Sequence, residues 1–370
     1  MFNQPDSQSD PFSDSQHRPL PLSHFPATRY QGSKRRLLAP LAEIFSRYRP
    51  GRALDLYSGT ATVALLLRLL GWRVVANDFL LYNNATARVL LTGPVADLSL
   101  DRVKQDLHHM LHEAPLWSDA LVSKNFASIY FYDDENLQID RFCQSVMLLP
   151  DPLRDFYIYS VGQALLMKRP YNLFHRANLS MRTRDVARSF GNAVTWSKPI
   201  LGHASKIAQR LLQFPFDTNN TGHLVTSFNT LNLDPLPTEI DLVYLDPPYL
   251  NEAGLSVDYC HFYHFLDGLC DYRSFGECNT KYPHRPIALK PSAWASGNSA
   301  IEEIGRILMK WPNATMILSY RSDGVPSFEN ISEVFRQYRR HFQLFDAFDY
   351  KYALSNKNGT KEMFLISSAD

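Results

Sequence analysis

Cysteine is scarce in this chain of 370 residues. The four thiols, Cys143, Cys260, Cys270 and Cys278, are too scattered to frame a disulfide scaffold, and none forms a Cys-x-x-Cys pair suited to structural zinc. No metal is expected, and the thiols read as buried or incidental ones in a reducing cytoplasm. An excess of one charge is also missing. Lys+Arg total 38 and Asp+Glu 37, so the formal net charge is +1, which excludes a histone-like polycation but leaves room for a local basic face. No apolar run approaches the roughly 18 residues of a membrane span. No apolar signal core opens the chain, and no period of about 20–50 residues marks a repeat fold. The expectation is a cytoplasmic protein without a membrane segment. What is present, 45% hydrophobic and 20% charged residues, suits a globular enzyme of two domains, or of one large α/β domain with an insertion.

The chain is uneven along its length. Residues 1–27 are rich in Ser, Asp, Gln and Pro without apolar periodicity, and read as a disordered tail. From Arg29 the texture changes. Leu37, Leu38, Leu41, Ile44, Phe45 and Tyr48 fall at helical spacing up to Pro50-Gly51. A short run, Ala53 to Tyr57, is followed by Ser58-Gly59-Thr60, a Leu-rich helix and a second strand, Arg73 to Ala76, which ends at Asn77-Asp78. Strand, tight turn, helix, strand is a βαβ unit and implies a parallel sheet. That rhythm returns with strands at 224–228, 241–245, 316–319 and 363–366, and with helices near 259–270, 300–310 and 328–340. Ser299 with Glu302 is expected to form the capping box of the second of these helices. Between lies a stretch without sheet rhythm. Its first part, 97–155, carries a balance of −6, and the part at 168–210 carries +8. The neutral total therefore conceals a basic patch.

Two motifs carry chemistry. Asp55-Leu56-Tyr57-Ser58-Gly59-Thr60 is a small-residue turn between strand and helix, where a cofactor can approach the backbone. Asp78, 19 residues after Gly59, stands where an acid would bind a ribose diol. A plain tight turn with a capping aspartate explains this signal equally well, and a dinucleotide site would want more glycines. The second motif, Asp246-Pro247-Pro248-Tyr249, directly follows a strand, at the ligand-binding edge of an α/β sheet. Two prolines stiffen the turn and fix the Pro247 carbonyl. Carboxylate and carbonyl then form two acceptors for an exocyclic NH2, and Tyr249 offers a flat face for a base.

In their order these motifs resemble the D12 class of N6-adenine DNA methyltransferases, to which the Dam enzymes belong. Arg29-Tyr30-Gln31-Gly32-Ser33-Lys34 resembles the opening motif of that class. Asp55 to Thr62 resembles its S-adenosyl-L-methionine (AdoMet) loop, Asp78 its second acid, and Asp246 to Tyr249 its catalytic tetrapeptide. The resemblance extends to Tyr259–Leu266 and to Leu318-Ser319-Tyr320.

It implies a Rossmann-like α/β AdoMet-dependent methyltransferase sheet in a discontinuous catalytic domain, 28–95 and 206–370. A mostly helical target-recognition domain, 96–205, would be inserted between these parts. It further implies Tyr30, Lys34, Asp55, Tyr57, Ser58, Gly59, Thr60, Asp78 and Asn229 at the cofactor, with Asn229 where the family usually has an acid. Ala61 stands where the family usually has a second glycine, and its methyl would crowd the methionine part of AdoMet. Double-stranded DNA is the implied partner. Lys168, Arg169, Arg176, Asn178, Arg182, Arg184 and Arg188, bases interleaved with Asn and aromatics, are expected to contact phosphates and base edges. The acidic part, 97–155, is expected to face away from DNA.

The amino nitrogen of adenine is a poor nucleophile. With Asp246 and the Pro247 carbonyl accepting its two hydrogens, it is pushed towards a tetrahedral form, and positioning and electrostatics supply the rate. The base must leave the duplex to reach such a site. There is no Pro-Cys pair of the kind a cytosine-C5 enzyme uses. The remaining rivals are N4-cytosine methylation, for which the family prefers Ser in place of Asp246, a DNA-binding homologue without catalysis, suggested by Ala61 and Asn229, and an RNA substrate. No nuclease motif is found, so a restriction endonuclease working with this chain would be separately encoded.

Overall fold

The computed structural model describes residues 20, 22–26, 28–174, 179, 182, 192–216, 221–248, 250, 259–287, 292–349 and 361–368. Helix α1 (Leu38–Phe45) leads into strand β1 (Arg52–Asp55), helix α2 (Thr62–Leu69), strand β2 (Arg73–Asn77) and helix α3 (Leu81–Thr92). A helical stretch follows, with α4 (Leu100–His108), α5 (Leu121–Asn125), α6 (Asp133–Val146), α7 (Asp151–Met167), α8 (Asn192–Ser197) and α9 (Ile200–Leu212). The chain then returns to the sheet through β3 (Leu224–Thr226), β4 (Leu242–Leu245), α10 (Tyr259–Cys270), α11 (Gly297–Lys310), β5 (Thr315–Arg321), α12 (Phe328–Tyr338), β6 (Gln343–Asp349) and β7 (Lys361–Ser367).

The seven strands form one sheet in the order β3-β2-β1-β4-β5-β7-β6. The first five lie parallel, and β7 runs antiparallel to both β5 and β6. This is a Rossmann-like methyltransferase sheet. Period-two alternation sends successive side chains to two buried faces. Leu242 and Tyr244 of β4 join the cluster beneath α1, α2, α3 and α10, while Val243 and Leu245 join Ile304, Ile307, Ile331 and Phe335 of α11 and α12. Sequence order reverses between β2-β1 and β4, so the switch point of the sheet lies at the C-terminal ends of β1 and β4.

The middle helices pack directly on this frame. α7 is buried along most of its length, as expected of a helix apolar on all sides. It lies against α3, where Arg88 and Asp155 form a two-pronged ion pair of 2.6 and 2.9 Å. Buried residues of α4, α6, α7 and α9 belong to the same apolar cluster as one face of the sheet.

Two expectations about the elements are corrected. α11 begins at Gly297, with Ser296 as its cap and Ser299 as the reciprocal partner, so Ser299–Glu302 is not the capping box. β6 had no counterpart in the strand reading. α9 continues across position 205, the expected edge of the inserted segment. Of the expected tail, residues 1–19, 21 and 27 lie outside the described residues, and Phe25 within it is buried with its ring edge-on to Phe214 at 5.9 Å. An aromatic side chain with a partner has enough apolar area to pin an otherwise polar segment. Of the described cysteines, Cys143, Cys260 and Cys278 are buried, and all four are free thiols. No helix among the described residues is long and apolar enough to cross a membrane.

Candidate active site

At the switch point a cleft opens, the place where open α/β sheets bind small molecules. Three strand ends build it. Asp55 ends β1, Asn77 ends β2 with Asp78 just beyond, and Asp246 follows Leu245 of β4. Asn77 ties the ends of β1, β2 and β3 together: its Nδ2 donates to the carbonyls of Leu56 and Phe228 at 3.2 and 3.0 Å, and its Oδ1 accepts from Phe228 N at 3.0 Å. Asp78 closes the glycine turn, accepting from Gly59 N and Leu80 N at 2.9 Å each. Gly59 has φ +49, a left-handed conformation in which a Cβ is strained.

The opening motif forms the facing wall. Tyr30 lies parallel to the rings of Tyr259 and Tyr263 of α10, at centroid distances of 5.4 and 4.0 Å. Gln31 N donates to Tyr263 Oη at 2.7 Å. Gly32 has φ +82, and a Cβ there would stand 2.8 Å from Tyr259 Oη, so a larger residue would collide. The turn delivers Lys34, which is 5% exposed, with Nζ 2.8 Å from Asp246 Oδ1. Nζ lies equally close, 2.8 Å, to Glu362 Oε1 on β7.

This acidic cleft disturbs its carboxyls. Burial pushes the Asp246 carboxyl up to about 6, with Lys34 pulling it down and Glu362 adding to the rise. Asp55 is held well above the usual carboxylate range by burial, and then by the charge of Asp246. The Asp55 carboxyl is buried with the Ala64 backbone amide as its hydrogen-bonding neighbour, and the Ser58 hydroxyl is buried without a hydrogen-bond partner among the described residues.

Of the residues expected at a cofactor, Tyr30, Lys34, Asp55, Tyr57, Ser58, Gly59, Thr60 and Asp78 line this cleft, together with Asp246 and Pro248. Pro247 is buried beside them, and Tyr249 lies outside the described residues. Asn229 departs from expectation. Its Oδ1 accepts from Leu231 N at 3.0 Å, closing a turn, and its neighbours Phe228 and Thr230 line the cleft instead. Ala61 also departs: its methyl is fully buried in the apolar cluster and does not line the cleft. Sequence reasoning missed Phe79, Phe228 and Glu362. Phe79 could have been found as the residue next to the second acid.

The basic segment divides. Lys168, Arg169 and Arg182 are buried, which corrects their assignment to DNA. Lys168 Nζ lies 3.0 Å from Glu135 Oε1 and donates to the Trp196 carbonyl at 2.7 Å. Arg182 grips the same glutamate with both terminal nitrogens, Nη2 at 2.6 Å. Arg169 lies over the Tyr130 ring, 4.7 Å from its centroid, and donates to the Tyr130 carbonyl at 2.9 Å. Each has internal partners because a buried cation must be paired. Arg176, Asn178, Arg184 and Arg188 lie outside the described residues.

Comparison with known proteins meets this geometry. The family described as D12 class N6 adenine-specific DNA methyltransferase matches residues 30–268, a span from the opening motif through the tetrapeptide into α10. The Type II methyltransferase M2.HphI of Haemophilus parahaemolyticus is 21% identical over 330 residues, which cover 85% of this chain and 90% of that protein. No solved structure matches. With that family match resting on the walls of one cleft, the chain belongs to the D12 class of N6 adenine-specific DNA methyltransferases, and its reaction is the methylation of adenine N6 in DNA.

Proposed function

We propose that the cleft holds AdoMet beside an adenine flipped out of double-stranded DNA, and that Asp246 receives the target amino group. The observation that carries this reading is that one cleft joins the Ser58-Gly59 turn to Asp246. The lining fits AdoMet, whose ammonium and sulfonium are cationic. Asp55 offers a buried carboxylate that lines the cleft, and Asp78 stands at the turn for a ribose diol. Tyr30, Tyr57, Ser58, Gly59 and Thr60 would hold the remainder, with Phe79 and Phe228 beside the purine. When bound, AdoMet supplies a methyl group whose bonding pair stays on sulfur.

Asp246 and the Pro247 carbonyl accept hydrogen bonds from the amino group, and Asp246 takes a proton once the nitrogen gains its fourth bond. Lys34 holds Oδ1 of Asp246 at 2.8 Å, which fixes the carboxylate and favours its ionised form. Pro247 and Pro248 stiffen the turn, and Tyr249 would stack on the base.

Residues 96–205 are proposed as the target-recognition segment, with Arg176, Asn178, Arg184 and Arg188 as its candidate DNA contacts. The kinship with a Type II methyltransferase supports a role in restriction-modification beside a separately encoded endonuclease, in the cytoplasm. Substitution tests the reading. Asp246→Ala should abolish methyl transfer while AdoMet affinity, read by calorimetry, stays within a few-fold. An alanine variant that methylates DNA at the wild-type rate would place the chemistry elsewhere.

A further inference from the structure

We propose that Glu362 is a positioning residue for methyl transfer: acting through Lys34, it holds the Asp246 carboxylate in place and keeps it basic enough to take the amino proton. The inference rests on the assignment of Asp246 as acceptor and deepens it.

Glu362 occupies an anomalous position. It begins an alternating row on β7 whose next members, Phe364 and Ile366, are buried in the apolar cluster. A hydrophobe is the default there, yet the side chain is a carboxylate, 1% exposed. A buried charge without compensation costs several kcal/mol, roughly, and persists only when paired. Its partners include Lys34 Nζ at 2.8 Å and Ser319 Oγ, which donates to Oε1 from the neighbouring strand β5. A clamp joining the opening motif to the sheet would explain one lysine and one carboxylate. Here one lysine serves two carboxylates at the same distance, 2.8 Å. Among the described residues the trio therefore carries a surplus negative charge at the end of the cleft where a proton must be accepted.

That surplus has a chemical consequence. With Asp246 alone, Lys34 would be a full counter-ion and would make the carboxylate a weak base. Sharing Lys34 with Glu362 dilutes its hold. The other groups facing Asp246 are Asp55 at the end of β1 and the Tyr244 hydroxyl on β4. Glu362 pushes the Asp246 carboxyl up and Lys34 opposes it, while the charge of Asp246 raises Asp55 in turn. The carboxyl of Asp246, raised to about 6, is ionised at neutral pH but takes a proton readily. Below that value it is already protonated and cannot accept, so transfer should fall on the acid side.

The test uses the full-length protein, DNA substrate and AdoMet, with single-turnover rates measured from pH 5 to 9, on the order of the range that brackets this group. Glu362→Gln keeps the shape and one acceptor oxygen for Lys34 and Ser319. It should leave AdoMet affinity within a few-fold, lower the plateau rate by about ten-fold or more, and move the acid limb down by about one pH unit. Glu362→Asp keeps the charge on a shorter arm, so it should retain the limb while losing rate. If Glu362→Gln does not fold, Ser319→Ala loosens the same carboxylate by one hydrogen bond and should shift the limb the same way by less. A foldable variant with the wild-type plateau and an unmoved limb would make Glu362 a mere structural clamp and overturn the proposal. A wild-type protein without transfer would instead sink the assignment of Asp246, and this inference with it.

Discussion

Removing Glu135 should cost stability rather than DNA binding. Its carboxylate is the shared anion for Lys168 Nζ at 3.0 Å and for both terminal nitrogens of Arg182. After Glu135→Ala, two cations stay buried, with the Trp196 and Lys198 carbonyls and the rings of Phe131 and Tyr132 as remaining company. Breaking a buried ion pair by deleting one partner costs about 3–5 kcal/mol. Two orphaned cations place the expected loss near the upper end, about 5 kcal/mol, a large share of the roughly 5–15 kcal/mol that holds a domain folded. The assay is a urea transition, whose midpoint should fall while its slope stays constant. Glu135→Gln, which keeps an acceptor, should lose less. The pH dependence has a definite sign. Burial pushes the Glu135 carboxyl up, but the hydrogen bond and charge of Arg182, and then Lys168, outweigh it and hold the group below its usual value. A depressed carboxyl stabilises fully above its unfolded value, about 4.3, and the gain is lost as pH falls through the folded one. The wild type should therefore approach the variant only in acid. An unchanged midpoint for Glu135→Ala, or a flatter salt dependence of DNA binding for Lys168→Ala, would refute the reasoning and return these bases to the DNA face.

Two further outcomes concern the cofactor turn. Asp78→Ala should weaken AdoMet binding by roughly 1.5–3 kcal/mol, and should also loosen the turn through the lost Gly59 and Leu80 hydrogen bonds; calorimetry and amide exchange at Gly59 read the two effects. Ala61→Gly should leave AdoMet affinity unchanged and stability within about 1 kcal/mol by thermal melting. Relief of the left-handed φ of +53, worth about 1–2 kcal/mol, is offset by a freer unfolded chain and by loss of a buried methyl worth about 0.8 kcal/mol.

What the sequence disclosed was what lies close together along the chain. Ser58-Gly59 and Asp246-Pro247-Pro248 are contiguous, follow buried strands, and announce a cleft without any long-range contact. Lys34 with Glu362 was illegible because the two meet only when β7 inserts between β5 and β6. Glu362 stands between Lys361 and an apolar run, with nothing local to name Lys34 as its partner. The basic segment misled for a related reason. A charge count sums Lys168, Arg169 and Arg182 with surface bases, but burial depends on partners such as Glu135 and Tyr130, some 30–50 residues earlier in the chain. β6 escaped because Leu344-Phe345 and two aspartates interrupt strict alternation in an edge strand. The start of α11 was displaced because Ser296 and Ser299 both suit a cap, and only backbone geometry distinguishes them.

The central claim is that this chain methylates the adenine amino group in DNA. The direct measurement incubates the purified protein with unmethylated double-stranded DNA and isotopically labelled AdoMet, digests the DNA to nucleosides, and identifies the labelled species by mass spectrometry. Label in N6-methyladenine, lost with Asp246→Ala, is the predicted result. Label in N4-methylcytosine, or none while AdoMet binds normally, would contradict the account.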